Sequence, residues 1–202
     1  MKKLLYTFLA KFLTIFGDIK IFKWPLFIVY DPVTFKLSGT QMLEALDTLQ
    51  PGDVILRGYD MYADGKLIPG DYSHGAIYVG DDTVIHAVAS GVSKIDPISF
   101  FMCDRICILR PKSGKKQAIA KAKKLEATNV PYDFAYQRGA SALYCFELCA
   151  ECYPKLKIKT KVAKSFFGLL KKSNVYLAES FIESPSFKKV FECNPKRKIY
   201  FN

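Results

Sequence analysis

Two apolar, β-branched runs stand on either side of Asp81-Asp82: "SHGAIYVG" at residues 73–80 and "TVIHAVA" at residues 83–89. Runs of this kind around a turn signal read as an antiparallel hairpin. A lone hairpin is marginal in water, so the rest of the chain must pair with it and cover it. In an extended strand alternate residues share a face, which groups His74, Ala76 and Tyr78 on one side and Gly75, Ile77 and Val79 on the other. In the second run Val84, His86 and Val88 share a face. A turn over residues 80–82 sets Tyr78 opposite Val84 and Ala76 opposite His86. His74 then lies diagonal to His86 on the same side, and the chain has no other histidine.

Further strands are expected in "DVILRG", "GVSKI" and "RICILRP", and "IKIFKWPLFIVYDP" reads as extended segments closed by a turn. "SGTQMLEALDTLQPGD" reads as a short helix capped by Ser38 or Thr40 and stopped at Pro51-Gly52. "DPISFFMCD" is a helical turn, "GKKQAIAKAKKLEA" a helix, and "SALYCFELCAECYP" a helix that Pro154 ends. In the tail "VAKSFFGLLKK" reads as one more helix, and "NVYLAESFIESPSF" is an apolar segment of mixed character. The turn-rich stretch at residues 59–72 is long enough to suggest a lid. The sum is an α+β chain with an antiparallel sheet packed on helices. It reads as one domain over residues 1–202: an N-terminal addition (1–48), a core (49–153) and a C-terminal addition (154–202).

Half of the 202 residues are hydrophobic, which excludes a disordered or low-complexity chain. The net charge of +11 favours anionic surfaces. The late lysine runs come with no zinc module and no aromatic recognition pattern, so nucleic acid is not expected as a partner. Leu4, Leu5, Phe8, Leu9, Phe12, Leu13 and Phe16 fall on one helical stripe, which suits a helix docked on the core or, as the alternative, one lying on an anionic membrane surface. Six cysteines in a chain that needs no staples are expected as free thiols, which places the protein in the cytoplasm, with membrane association through that N-terminal stripe as the variant.

Three of those cysteines, Cys145, Cys149 and Cys152, are close in sequence. Read as metal ligands they lack a second Cys or His pair at the right spacing, so neither a metal nor a cofactor is expected. On a helix the three share a face with Leu148, and Cys149 and Cys152 are most simply packing residues. Cys145, first of the three, stands nearest the helix start, where the helix dipole and free N–H groups favour a thiolate and an oxyanion. A base for it must be His74 or His86.

The ordered set "LQPGDVILRG", "IPGDYSHGAIYVG", "VIHAVASGV", "ICILRP", "VPYDFAY" and "YCFELCAECY", within residues 49–153, resembles the permuted papain-like amidases of the NlpC-type superfamily, in particular the YiiX/YaeF-like branch, which has poxvirus relatives. The resemblance implies a circularly permuted papain-like (NlpC-type) fold in which the histidine precedes the cysteine. It implies Cys145 as nucleophile, His74 as general base and later acid, and His86 as the residue orienting His74. Two departures stand out: the third position is often Glu in that branch, and Phe146 occupies a place often held by Ser. The implied function is a cysteine hydrolase, an amidase or peptidase that forms an acyl-thioester with a peptide-like substrate. A lipid-directed acyltransferase or esterase acting on a lipid-like substrate, and a non-catalytic binding module, are the alternatives.

Overall fold

The structure, a computed structural model, describes residues 12, 19–21, 28–30, 35–60, 68–134, 136, 141–164 and 172–195. Strands β1 (Ile19–Ile21) and β2 (Ile28–Tyr30) pair antiparallel ahead of helix α1 (Gly39–Thr48). Ser38 caps α1 reciprocally: its Oγ accepts from the Gln41 N–H and the Gln41 side chain accepts from the Ser38 N–H. The box needs Gln three residues after the cap, which selects Ser38 over Thr40.

The main sheet uses β3 (Val54–Gly58), β4 (His74–Gly80), β5 (Thr83–Val88), β6 (Gly91–Ile95), β7 (Arg105–Pro111) and β10 (Phe187–Cys193). Their spatial order is β10-β7-β3-β4-β5-β6, and each neighbouring pair runs antiparallel. The hairpin register is the one the sequence dictates, Tyr78 against Val84 and Ala76 against His86. The connection is tighter than a three-residue turn. A bulge between Tyr78 and Gly80 lets Gly80 pair with Thr83, leaving Asp81 and Asp82 as a two-residue turn with both residues at positive φ.

Both faces of this sheet are covered, which is why "VILRG" and "RICILRP" are nearly continuous in apolar residues. Val54, Leu56, Ile77, Val79 and Leu109 pack toward α3 (Lys115–Ala127), α4 (Cys145–Cys152) and α5 (Ala178–Ile182). Ile55, Ala76, Val84, Ile106 and Ile108 pack on the opposite side with Met42 and Ala45 of α1 and Phe100 and Phe101 of α2 (Pro97–Phe101).

The tail departs from expectation. Part of the stretch read as a helix is extended: β8 (Lys161–Lys164) pairs with β9 (Lys172–Val175), Lys161 against Val175, while residues 165–171 lie outside the described set. Pairing between strands here overrides the helical spacing of the apolar residues. β10 extends the main sheet beyond β7, so the segment set apart as a C-terminal addition supplies an edge strand of the core sheet. Its signal is weak because a bulge between Lys189 and Phe191 breaks the alternation and Lys188 and Lys189 point to solvent, as suits an edge. The N-terminal stripe lies outside the described residues except for Phe12, as do residues 61–67 of the suspected lid. Among the described residues no helix is long and apolar enough to cross a membrane.

One buried charge ties these elements together. Asp53, fully buried, accepts from Arg110 of β7 at 3.0 and 2.8 Å and from the Gln50 N–H at 2.9 Å. Arg110 also donates to the Thr48 carbonyl at the end of α1 at 2.6 Å. Asp53→Ala leaves a guanidinium facing the interior without its counter-charge and should destabilise the fold by about 3 kcal/mol. A drop in the urea midpoint at constant slope is the expected reading.

Candidate active site

The site starts from strand register. β3 and β4 place Arg57 beside His74, and β4 and β5 place Ala76 beside His86, so Arg57, His74 and His86 emerge close together on one face. Nε2 of His74 lies 3.2 Å from Nδ1 of His86, a hydrogen-bond distance, with the rings edge-on at 77°. Phe100 of α2 covers both rings, its centroid 5.8 Å from His74 and 6.0 Å from His86. Helix α2 is held in place by Asp96, whose carboxylate accepts from the Ser99 N–H at 2.8 Å, and by Pro97 in its first turn.

Burial sets the charge of this pair. It drives the His74 imidazole well below its ordinary range, with the Arg57 guanidinium and then His86 adding to the effect. Burial and then Arg57 push His86 down to about 4. Both rings are therefore neutral near pH 7.

Cys145 approaches from the other face of the sheet. Tyr144 is the extended N-cap residue of α4, and its hydroxyl accepts from the Tyr176 N–H at 2.7 Å. Cys145 is thus the first helical residue, at the positive end of the helix. The helix can sit this close because Gly75 has no side chain. A Cβ there would meet the Phe146 ring at 2.9 Å and Cys149 Sγ at 3.4 Å. The backbone N–H groups of Gly75, one residue beyond the last β4–β5 register pair, and of Phe146 and Cys145 itself favour a thiolate at the Cys145 sulfur.

The three sequence candidates are gathered in two steps. His74 and His86 touch directly, and α4, whose first residue is Cys145, packs against the residue following His74. Among the described residues neither imidazole hydrogen-bonds the thiol in this resting arrangement. Burial pushes the Cys145 thiol up to about 11, against the pull of those three N–H groups and of Arg57. Cys152 is pushed up to about 12 and Cys149 well above its usual range, both by burial, and they pack in the core. Of the three, only Cys145 stands at the helix start, with N–H groups and Arg57 drawing its thiol toward ionisation against burial. Among the described residues no group of three or more His, Cys, Asp or Glu side chains gathers as a metal site.

A family model described as permuted papain-like amidase, YaeF/YiiX, C92 family, matches residues 48–191. The chain belongs to this family. Among its relatives, protein OPG091 of Variola virus is 28% identical over 173 residues, covering 81% of this chain and 92% of the relative. The OPG091 proteins of Vaccinia virus (strain Copenhagen) and Monkeypox virus are each 27% identical with the same coverage. The crystal structure of metalloprotein yiiX from Escherichia coli O157:H7 superposes with a TM-score of 0.62 at 17% identity, covering 73% of this chain and 99% of that one. The likeness shows that the permuted papain-like amidase family's fold is the fold described above.

Sequence reasoning missed Arg57. Its Cζ lies 4.4 Å over the Phe100 ring and its Nη1 donates to the Phe100 carbonyl at 3.3 Å. The available signal was a charged residue in the otherwise apolar strand "VILRG".

The depressed imidazoles have a thermodynamic consequence. Unfolded histidines take up protons below about pH 6.5, whereas the folded ones resist until lower pH. Their contribution to stability is therefore complete above about pH 6.5 and falls as the pH drops toward the folded values. With His86 held at about 4, its share of the loss is on the order of 3 kcal/mol. Urea titrations from pH 7 to 4 should show this slope, and the double variant His74→Gln, His86→Gln should flatten it.

Proposed function

We propose that this chain is a cysteine hydrolase of amide bonds, with Cys145 as nucleophile, His74 as general base and then acid, and His86 as the acceptor that orients His74. The observation that carries the reading is one arrangement: the start of α4, with Cys145 as its first residue, packs against β4 at Gly75, and the ring of the neighbouring His74 is hydrogen-bonded to His86. The family implies a peptide-like substrate in coarse terms.

Proton bookkeeping follows from the ring atoms. Nε2 of His74 is engaged with His86, which leaves Nδ1 for the thiol. For His74 to take a proton at Nδ1, its Nε2 must already carry hydrogen and Nδ1 of His86 must accept it. A neutral His86 meets that requirement, and its depressed pKa keeps it neutral. Cys145 gives its proton to His74 as sulfur attacks the carbonyl carbon, and the N–H groups at the start of α4 stabilise the oxyanion. Collapse breaks the C–N bond, and His74 returns the proton to the departing amine. Water, deprotonated by His74, then cleaves the thioester and restores the thiol.

An imidazole supports a neighbouring imidazolium less well than a carboxylate does. The resting pair is therefore neutral, and the thiolate forms as the substrate reacts.

Incubation with p-nitrophenyl acetate, followed by peptide mass mapping, tests the assignment. Acetyl transfer to Cys145 is expected, abolished in Cys145→Ala, retained in Cys149→Ser and slowed roughly 100-fold or more in His74→Ala. Acylation of Cys149 in the unmodified protein, or an unchanged rate in His74→Ala, would remove the assignment.

A further inference from the structure

Among the described residues the arginines are paired with carboxylates, with one exception beside the site. Arg105 pairs with Asp60 and Asp71, and Arg110 with Asp53. Among the described residues half-buried Arg57 has no salt bridge, its Nε is buried without a hydrogen-bond partner, and its side chain's one hydrogen bond is to a neutral carbonyl of Phe100. Contacts with the Phe100 and Tyr59 rings, at 4.4 and 5.5 Å, fix the guanidinium without neutralising it. A cation withdrawn from water and left unpaired is costly, and a guanidinium fork is shaped to receive two oxygens of one anionic group.

Its position relates that charge to the chemistry. Arg57 is the register partner of His74, and Phe100, under its guanidinium, also touches both imidazoles. Among the described residues the charged groups that act on His74 are Arg57 of β3 and His86 of β5; Arg57 also acts on the Cys145 and Cys103 thiols, and α2 contributes the uncharged Phe100.

We propose that Arg57 receives an anionic oxygen group of the substrate, a carboxylate or a phosphate, next to the reacting carbonyl. The proposal rests on the cysteine-hydrolase reading and names the substrate class for that same site. Pairing also cancels the charge that opposes an imidazolium at His74, so a bound anion makes His74 a better acceptor for the thiol proton. Substrates with the anionic group thereby assist their own attack, and neutral analogues meet a site in which His74 resists protonation.

Two measurements test this. With only two histidines in the chain, the Hε1 protons of the imidazole rings give two NMR signals. In the full-length Cys145→Ala protein, at ionic strength held constant with chloride, acetate or inorganic phosphate should move these signals saturably and raise their titration midpoints. Arg57→Gln should abolish the response, and Arg57→Lys should retain part of it. Which of the two anions saturates tells a carboxylate from a phosphate. Equal responses in Arg57→Gln and the parent, or none beyond that of chloride, overturn the proposal.

In the unmodified protein the ratio of Cys145 alkylation by iodoacetate to that by iodoacetamide should fall about tenfold in Arg57→Gln, the loss of roughly one close charge pair. An unchanged ratio counts against the anion site. Failure of both reagents to label Cys145 would instead overturn the hydrolase reading, while the histidine titration still decides on Arg57.

Discussion

A missing side chain sets the distance on which the site depends. Helix α4 packs across β4 at Gly75, where any Cβ would run into the Phe146 ring. That approach sets the start of α4, with Cys145 as its first residue, against the backbone of the residue that follows His74. The contact falls at the start of β4, where groups from opposite faces of a sheet can converge around the backbone. The layers beyond it frame this contact: α3 and α5 pack behind α4, and Phe100 of α2 covers both histidine rings.

The electrostatics of the site are set by burial and by one cation. A thiol and two imidazoles, all desolvated, rest neutral, and the positive charge is supplied by Arg57. This differs from a site in which a carboxylate supports a permanent imidazolium, because His86 can orient the ring of His74 without adding negative charge. Arg57 pulls the thiol toward ionisation and pushes the imidazoles away from it. The two effects oppose each other, and in the proposed reading an anion bound at Arg57 would link the substrate's charge to the protonation of His74.

Much of the fold was legible in the sequence where local signals agreed with tertiary ones. The alternation of "SHGAIYVG" and "TVIHAVA" fixed the hairpin register, and with it the proximity of His74 and His86. Ser38 with Gln41, and Pro154 after Cys152, marked helix ends through capping and a missing donor. Signals failed where pairing overrode pattern. The stretch 162–172, of helical periodicity, overlaps the paired strands Lys161–Lys164 and Lys172–Val175 at its two ends, and β10 hides its role behind a bulge and two exposed lysines.

The site divides the same way. By itself the sequence determined the candidates for the chemistry: the chain has two histidines, and the helix start sets Cys145 apart from Cys149 and Cys152. Only the tertiary structure decided how they are held: that Gly75 admits α4, that Nε2 of His74 is taken by His86, and that Arg57 stands unpaired beside them. Spacing along a strand or helix fixes which residues share a face. The distance between two faces, and the charge enclosed there, depend on packing between segments far apart in the chain.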